Sequence, residues 1–136
     1  MGIFNYRRRS SSEVSIGNLK LGGANPIRLQ SMTNTQTTDV EGSARQVSVI
    51  GKAGADLVRL TTQGVKEAEA LSAIKEKSLK LGCTVPLVAD VHFNPAAAFK
   101  AAETCDKVRI NPGNFADPAH RFEKIDMSEE EYNASI

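Results

Sequence analysis

The chain has 136 residues, 40% of them apolar, and a formal net charge of +1, which suits one globular domain with a hydrophobic core. The near-neutral charge and the 5% aromatic content exclude a general electrostatic attraction to nucleic acid or to membranes. No stretch approaches the roughly 20 apolar residues of a membrane span.

The chain opens with a polar and basic segment, residues 1–13, which contains Arg7, Arg8 and Arg9 and which we expect to be a flexible arm. Weak alternation of apolar residues over 14–21, around Gly17 and Asn18, predicts a short β-hairpin. In a barrel this hairpin would close the bottom, ahead of the first core strand.

Four apolar runs typical of β-strands follow, and each ends in a polar cluster. The runs are 27–34, 57–62, 85–92 and 107–114. The last three recur about every 25 residues with a helix-like stretch in each gap, a rhythm typical of βα units on a parallel sheet. Beyond this rhythm no internal repeat is apparent. Ligands bind beyond the carboxyl ends of such strands, so the polar clusters predict one shared active-site face.

Three helices are predicted in and after the gaps, at about 39–53, 65–81 and 94–102. Thr38 and Glu41 have the spacing of a capping box for the first helix. Gly54 and Gly82 supply stops for the first and second helices. Asn94 followed by proline predicts the cap of the third.

About four βα units are present, whereas a complete eight-stranded barrel needs roughly 250 residues. Ser128 and Glu131 have the spacing of another helix start, and five residues follow Glu131. We therefore expect residues 14–136 to be an α/β domain, the N-terminal half of a TIM (β/α)8 barrel that continues in a larger protein.

Arg59 and Arg109 occupy equivalent places near the ends of the second and fourth strands. A guanidinium group is permanently charged and presents a planar fork of donors that suits phosphate oxygens. Two of them at one barrel mouth predict a phosphate or diphosphate ligand. The alternative is that an arginine pairs with a strand-end carboxylate such as Asp90.

Asp90 and His92 straddle the end of the third strand, where alternation places both on one side and Val91 on the other. Such a pair could transfer a proton, bind a metal, orient substrate hydroxyls or tie the strand end to its neighbours. The residues alone leave these alternatives open.

Two polar segments supply further candidates. Hydroxyl and amide side chains run from 31 to 39 and include Ser31, Thr33 and Asn34, which suggests a loop that faces a substrate. Residues 111–114 leave the fourth strand as a turn in which proline fixes one dihedral and glycine allows positive φ. Its backbone N–H groups would favour an anion, with Asn111 and Asn114 as side-chain candidates.

Four motifs in this order resemble one family. They are Ser-Met-Thr-Asn-Thr at 31–35, Ala-Gly-Ala-Asp-Leu-Val-Arg at 53–59, Pro-Leu-Val-Ala-Asp-Val-His-Phe at 86–93 and Val-Arg-Ile-Asn-Pro-Gly-Asn at 108–114. Over roughly 14–116 the chain resembles the N-terminal part of the 4-hydroxy-3-methylbut-2-enyl diphosphate synthase (IspG or GcpE) family of non-mevalonate isoprenoid biosynthesis. Leu-Thr-Thr-Gln-Gly at 60–64 is similar to the larger, three-domain members.

The resemblance implies a catalytic TIM barrel followed by an iron–sulfur domain. The family reductively opens 2-C-methyl-D-erythritol 2,4-cyclodiphosphate to 4-hydroxy-3-methylbut-2-enyl diphosphate. Electrons reach a four-iron, four-sulfur (4Fe-4S) cluster from ferredoxin or flavodoxin. For the short-form enzymes the resemblance also implies a homodimer, in which the cluster domain of one subunit covers the barrel of the other, and a homodimer is possible for this protein.

Carried over by position, the resemblance makes Arg59 and Arg109 diphosphate-binding residues. It makes Asp90, Asn111 and His92 the catalytic candidates, as polar residues of the barrel mouth near the substrate. The cluster ligands are implied to lie outside this chain. We therefore expect the chain alone to bind no metal or cluster and to be inactive.

Two cysteines, Cys83 and Cys105, are too few for a disulfide scaffold and lack the spacing of metal ligands. We expect both to be buried structural thiols in a cytoplasmic protein, and the N-terminus has no apolar core of the kind a signal peptide needs.

Two other functions stay open on the residues. A pterin-binding barrel of the dihydropteroate synthase type shares the fold, the strand-end Asp and Asn positions and a diphosphate-bearing substrate. A non-catalytic phosphate-binding or assembly fragment is the second alternative, because half a barrel leaves an open strand edge that recruits partners.

Overall fold

A computed structural model describes residues 6–115, with the backbone alone for Asn114. An antiparallel hairpin of β1 (Val14–Ile16) and β2 (Leu19–Leu21) comes first. Four further strands are β3 (Gln30–Met32), β4 (Leu57–Thr62), β5 (Leu87–Val91) and β6 (Lys107–Arg109). The helices are α1 (Val40–Lys52), α2 (Val65–Lys80), α3 (Pro95–Ala102) and the single turn α4 (Pro112–Phe115).

β3, β4, β5 and β6 form one parallel sheet in that order, and a helix connects each strand to the next. This is the predicted βα rhythm. Arg59 on β4 is aligned with Val88 on β5, which is aligned with Lys107 on β6. Arg109 is therefore one inward-facing position further along the sheet than Arg59. Such a stagger is what strands need when they tilt around a barrel axis.

The sheet has an apolar face that packs against the helices. The core cluster on this side contains Val58 and Leu60 of β4 together with Leu71 and Ile74 of α2. All five residues of β5 are buried, as expected for a parallel strand covered on both faces. Along β4 and β5 every second residue points away from the helices, and Arg59 and Asp90 lie on this opposite face.

The hairpin packs against the amino ends of the sheet strands, on the face opposite the helices. Ile16 is buried in a second cluster with Leu57 and Val88, and Leu19 and Leu21 pack against it. This confirms the predicted hairpin and its place at the closed end of the sheet.

The helix ends follow the predicted stops but not every predicted start. Gly54 and Gly82 have φ of 105° and 79°, which only glycine adopts without strain, and Asn94 accepts a hydrogen bond from the Ala97 N–H. The Thr38 cap was wrong. Asp39 is the N-cap and accepts a hydrogen bond from the Gly42 N–H at 3.0 Å, so the helix begins one residue later than the capping-box spacing suggests.

Two other local predictions were wrong. The first sheet strand is limited to β3, because its pairing with β4 covers only Gln30–Met32, and Ile27 and Leu29 before it are 92% and 63% exposed. Residues 112–115 form the helical turn α4, and Gly113 is not among the residues with positive φ. The first five residues of the arm and the helix start at Ser128 lie outside the described residues.

Two sheet strands share a repeated segment that the rhythm alone did not reveal. Residues 55–60 read Ala-Asp-Leu-Val-Arg-Leu and residues 105–110 read Cys-Asp-Lys-Val-Arg-Ile. In both, the aspartate binds the preceding strand at two points. Asp56 donates its N–H to the Leu29 carbonyl and accepts the Leu29 N–H at 2.8 Å. Asp106 does the same to Leu87, where its carboxylate accepts the N–H at 3.1 Å.

Candidate functional site

Asp90 stands at the centre of the polar face, near the carboxyl end of β5. Its strand lies between β4 and β6, and Asp90 is aligned with Thr61 on one side and Arg109 on the other. Only 2% of the residue is exposed. Arg109 Nη1 donates a hydrogen bond to Asp90 Oδ1 at 3.0 Å, and Arg59 Nε lies 3.2 Å from Asp90 Oδ2. The structure therefore brings together three of the predicted site residues.

The two arginines are held in different ways. Arg109 makes an aligned hydrogen bond, whereas the buried Arg59 Nε–H has no hydrogen-bond partner among the described residues despite its proximity to Asp90. Arg59 Nη2 also lies 3.5 Å from the Met32 sulfur, a weak acceptor. The predicted alternative, an arginine paired with Asp90, is thus present for both. Each guanidinium nevertheless keeps N–H groups that no described protein group uses.

Met32 is a site residue that the sequence did not indicate. It is aligned with Arg59, so it lies on the arginine face, whereas the predicted candidate Ser31 is aligned with Val58 on the helix side. The signal that could have found Met32 is strand alternation, combined with the register of β3 against β4.

His92 follows the last residue of β5. Its Nε2 lies 4.0 Å from Asp90 Oδ2, too far for a direct hydrogen bond, and its Nδ1 is buried without a partner among the described residues. The next residue, Phe93, has φ of 56°, an unfavourable conformation for a bulky side chain. Strained backbone of this kind concentrates at functional sites.

Three buried side-chain polar atoms within residues 6–115 have no hydrogen-bond partner: Thr33 Oγ1, Arg59 Nε and His92 Nδ1. Thr33 directly follows β3, Arg59 lies in β4 and His92 directly follows β5. Thr33 and His92 therefore lie just after the carboxyl ends of their strands, whereas Arg59 is the third of the six residues of β4. Native proteins satisfy almost all buried polar groups, so each of these exceptions needs an explanation, and a polar ligand is one explanation.

Two of the remaining predicted residues, Asn34 and Asn111, bond to other protein groups, Asn34 to helix α1 and Asn111 to its own turn. The Asn34 backbone N–H donates to Gln46 Oε1 at 2.8 Å, and its side-chain oxygen accepts from the same amide. Asn111 Oδ1 accepts from the Gly113 N–H at 3.1 Å and the residue is exposed. The side chain of Asn114 lies outside the described structure.

The two cysteines do not fit a metal or iron–sulfur ligand set. Cys83 is buried on the helix side, with its sulfur 3.8 Å from the Val47 carbonyl oxygen. Burial raises the pKa of Cys105 to about 12, and cluster binding requires a thiolate. Within residues 6–115 no three His, Cys, Asp or Glu side chains group as metal ligands, and no helix has the length and apolar character to cross a bilayer.

The fold and site define a class: domains built of βα units, with arginines around a buried carboxylate on the polar face of a parallel sheet. Within that class, residues 11–136 match the GcpE TIM-barrel domain. The chain belongs to the GcpE family. This membership also makes the four described βα units part of a TIM barrel, as predicted, and decides against the pterin-binding alternative.

Several curated relatives are similar over nearly the whole chain. A protein of Bacteroides fragilis named 4-hydroxy-3-methylbut-2-en-1-yl diphosphate synthase (flavodoxin) is 55% identical over 136 residues, all of this chain and 22% of that protein. A chloroplastic, ferredoxin-type synthase of Arabidopsis thaliana is 48% identical over 95% of this chain and 17% of that protein. A flavodoxin-type synthase of Leptospira interrogans is 47% identical over 98% of this chain and 20% of that protein. The chain thus spans about a fifth of the length of these relatives.

Proposed function

We propose that this chain is the substrate-binding part of a 4-hydroxy-3-methylbut-2-enyl diphosphate synthase. The complete enzyme would convert 2-C-methyl-D-erythritol 2,4-cyclodiphosphate to the linear allylic diphosphate. The observation that carries the proposal is the convergence of Arg59 and Arg109 on one buried carboxylate. The family match and the names of the relatives, which are diphosphate synthases, support a diphosphate as that anion.

Arg59 and Arg109 would bind the diphosphate through the guanidinium N–H groups that Asp90 leaves unused. Charge-assisted hydrogen bonds from two rigid forks fix both the position and the orientation of a diphosphate. Holding the anionic end in this way would present the rest of the substrate at a constant place above the sheet, which is how positioning contributes to catalysis.

His92 and Asn111 would lie next to the bound substrate, beyond the ends of β5 and β6. The unpartnered His92 Nδ1 is suited to hydrogen-bond a substrate oxygen. The loop residues Ser31, Thr33, Asn34 and Asn114 would line the rim of the site. Among these four, Thr33 has a buried hydroxyl without a partner among the described residues.

The 4Fe-4S cluster implied by the family would be held by residues other than those described, since Cys83 and Cys105 do not fit it. Flavodoxin or ferredoxin would supply electrons, as the names of the relatives state for those proteins. A three-domain chain, a homodimer and a cytoplasmic location also stay predictions. No step of the chemistry is assigned to residues 6–115 beyond binding and orientation.

The test is titration of the full-length protein with the cyclic diphosphate, together with turnover using a reduced electron donor. Arg109→Ala should weaken substrate binding by about 2 kcal/mol, the scale of a lost charge-assisted hydrogen bond. Arg45→Ala serves as the matched control, because Arg45 is exposed on α1. Unchanged affinity and turnover in Arg109→Ala would remove Arg109 from the site.

A further inference from the structure

The position of Asp90 differs from that of a group that reacts with a substrate. Both of its carboxylate oxygens face guanidinium groups, Oδ1 toward Arg109 and Oδ2 toward Arg59, and its side chain is 3% exposed. A carboxylate so enclosed has little surface left for a substrate atom. Its two oxygens interact with the two arginines instead.

Only the central strand allows one residue to reach both arginines. β5 is hydrogen-bonded to β4 on one side and to β6 on the other, and the two arginine strands do not pair with each other. Asp90 is directly aligned with Arg109, and the side chain of Arg59 reaches it from one inward-facing position earlier on β4. Because of this stagger, Arg59 and Arg109 both contact the same carboxylate, that of Asp90.

Asp90 occupies only part of each guanidinium. Within residues 6–115, Arg109 uses Nη1 alone on protein, and Arg59 directs Nε toward Asp90 and Nη2 toward the Met32 sulfur. Arg109 Nη2 and Nε and Arg59 Nη1 remain for a ligand. A fork fixed at one side and free at the other is oriented in advance of binding, which lowers the entropic cost of association.

We propose that Asp90 is a positioning residue, whose carboxylate holds the Arg59 and Arg109 guanidinium groups in the arrangement that a diphosphate requires. This inference rests on the proposed diphosphate site and assigns Asp90 a role other than direct catalysis. It predicts the sign of an effect. If Asp90 acted only through its charge, its removal would strengthen anion binding, because the mouth would gain one positive charge. If Asp90 positions the arginines, its removal weakens binding in spite of that gain.

The experiment is calorimetric titration of the full-length protein with inorganic pyrophosphate. Asp90→Asn keeps the side-chain volume and removes the charge, and it should weaken pyrophosphate binding by about tenfold or more, the usual size of coupling between contacting residues. Asp90→Glu keeps the charge but displaces the carboxylate by one methylene, and it should also weaken binding. Glu41→Gln, on the exposed face of α1 where Glu41 pairs with Lys77, removes the same unit of charge and should leave the affinity unchanged.

A second measurement separates positioning from a general structural role. Arg109→Ala should cost less pyrophosphate affinity in the Asp90→Asn background than in the wild type, because an unpositioned arginine has less to lose. A purely structural Asp90 would leave that cost the same, and an equal cost would overturn the inference.

The outcomes for the two proposals are distinct. Equal or tighter pyrophosphate binding by a folded Asp90→Asn protein would overturn the positioning role and leave the diphosphate site intact. If Asp90→Asn fails to fold, unchanged affinity in Asp90→Glu would overturn it instead. No pyrophosphate binding by the wild type would overturn the proposed diphosphate site, and the positioning role with it.

Discussion

The segments 55–60 and 105–110 are built alike and yet are held differently. Each has an aspartate that binds the preceding strand, a valine in the helix-side core and an arginine that reaches Asp90. β4 has sheet neighbours on both sides, and its buried positions dominate. β6 is the edge of the described sheet and none of its three residues is buried.

The same local sequence pattern thus places an arginine beside Asp90 in both strands, but the arginine is less exposed on β4 than on β6. The side chain of Arg59 is 32% exposed and that of Arg109 is 44% exposed. Below them, Asp106 is paired with Lys75 at 3.3 Å, whereas Asp56 has no ion pair within residues 6–115. The segment 55–60 is therefore held mainly by the packing around β4, and the segment 105–110 also by the ion pair between Asp106 and Lys75.

The largest expected effect comes from the core positions that follow the arginines. Leu60→Ala should lower the free energy of unfolding by about 3 kcal/mol, because Leu60 is fully buried and its removal leaves a cavity. Ile110→Ala should cost less, since Ile110 is only partly buried in the described structure. Chemical denaturation of the barrel domain would measure both, and equal losses would show that β6 is as tightly packed as β4.

Conservative replacement of the arginines should have the next largest effect. Lysine keeps the charge but loses the planar fork, so each change should weaken pyrophosphate binding, by about tenfold for Arg59→Lys and by less for Arg109→Lys. The reason for the order is that Arg59 is the less exposed and is on the central part of the sheet. Titration calorimetry gives both values, and a larger loss for Arg109→Lys would mean that the aligned hydrogen bond to Asp90 matters more than burial.

Replacing the aspartates Asp56 and Asp106 should lower the free energy of unfolding by smaller and unequal amounts. Asp106→Asn keeps an acceptor for the Leu87 N–H but leaves the half-buried Lys75 ammonium without its carboxylate, so it should cost about 1.5 kcal/mol. Asp56→Asn should cost under about 1 kcal/mol, because it removes no ion pair within the described residues. Replacing Lys75 by methionine should reduce the Asp106→Asn cost, and an undiminished cost would rule out the ion pair as its cause.

The smallest effect on stability is expected at Cys105, the first residue of the segment 105–110, which corresponds to Ala55 in the segment 55–60. Cys105→Ala should change stability by about 1 kcal/mol or less near neutral pH, because one partly buried sulfur is lost. Burial raises the pKa of Cys105 to about 12 from its ordinary value of 9.0. Below pH 9 the thiol is neutral in both the folded and unfolded states, so its contribution to stability is fully present.

Between pH 9 and about 12 the unfolded chain loses the Cys105 proton first, and this contribution to stability is progressively lost. Denaturation at a series of alkaline pH values should show that loss in the wild type and a smaller one in Cys105→Ala. Identical alkaline profiles would mean that Cys105 keeps an ordinary pKa.

The sequence was sufficient for the parts of the fold that depend on periodicity. The four βα units, the hairpin and the glycine stops follow from spacings along one chain. The equivalent strand-end places expected for the two arginines were wrong, because Arg109 is the last residue of β6 whereas Arg59 is the third of the six residues of β4. The shared contact with Asp90 was not predicted from these spacings either, because it depends on the stagger between three strands. Met32 was not predicted, because its place beside Arg59 depends on the register of β3 against β4. Thr33 was predicted only as a loop candidate, because the lack of a partner for its hydroxyl is visible only in the structure.

The errors have a common physical origin. Ile27 and Leu29 have the composition of a strand, but the ladder with β4 begins only at Gln30, and Leu29 bonds instead to Asp56 and Leu57 at the start of that ladder. Asp39 and Thr38 are both good caps, and only the path of the backbone decides between them. The repeat at 55–60 and 105–110 was missed because just three of its six positions are identical, although those three make its structural contacts.

The hairpin covers the amino-terminal end of the arginine face with apolar side chains. Ile16, Leu57 and Val88 form a buried apolar cluster at the amino ends of the strands, on the same face as the two arginines. This apolar layer polarises far less than water does, so on that side the field of the guanidinium groups is weakened less. Mobile salt does not enter the apolar layer, so it screens the attraction of an anion less than it would at a fully exposed site.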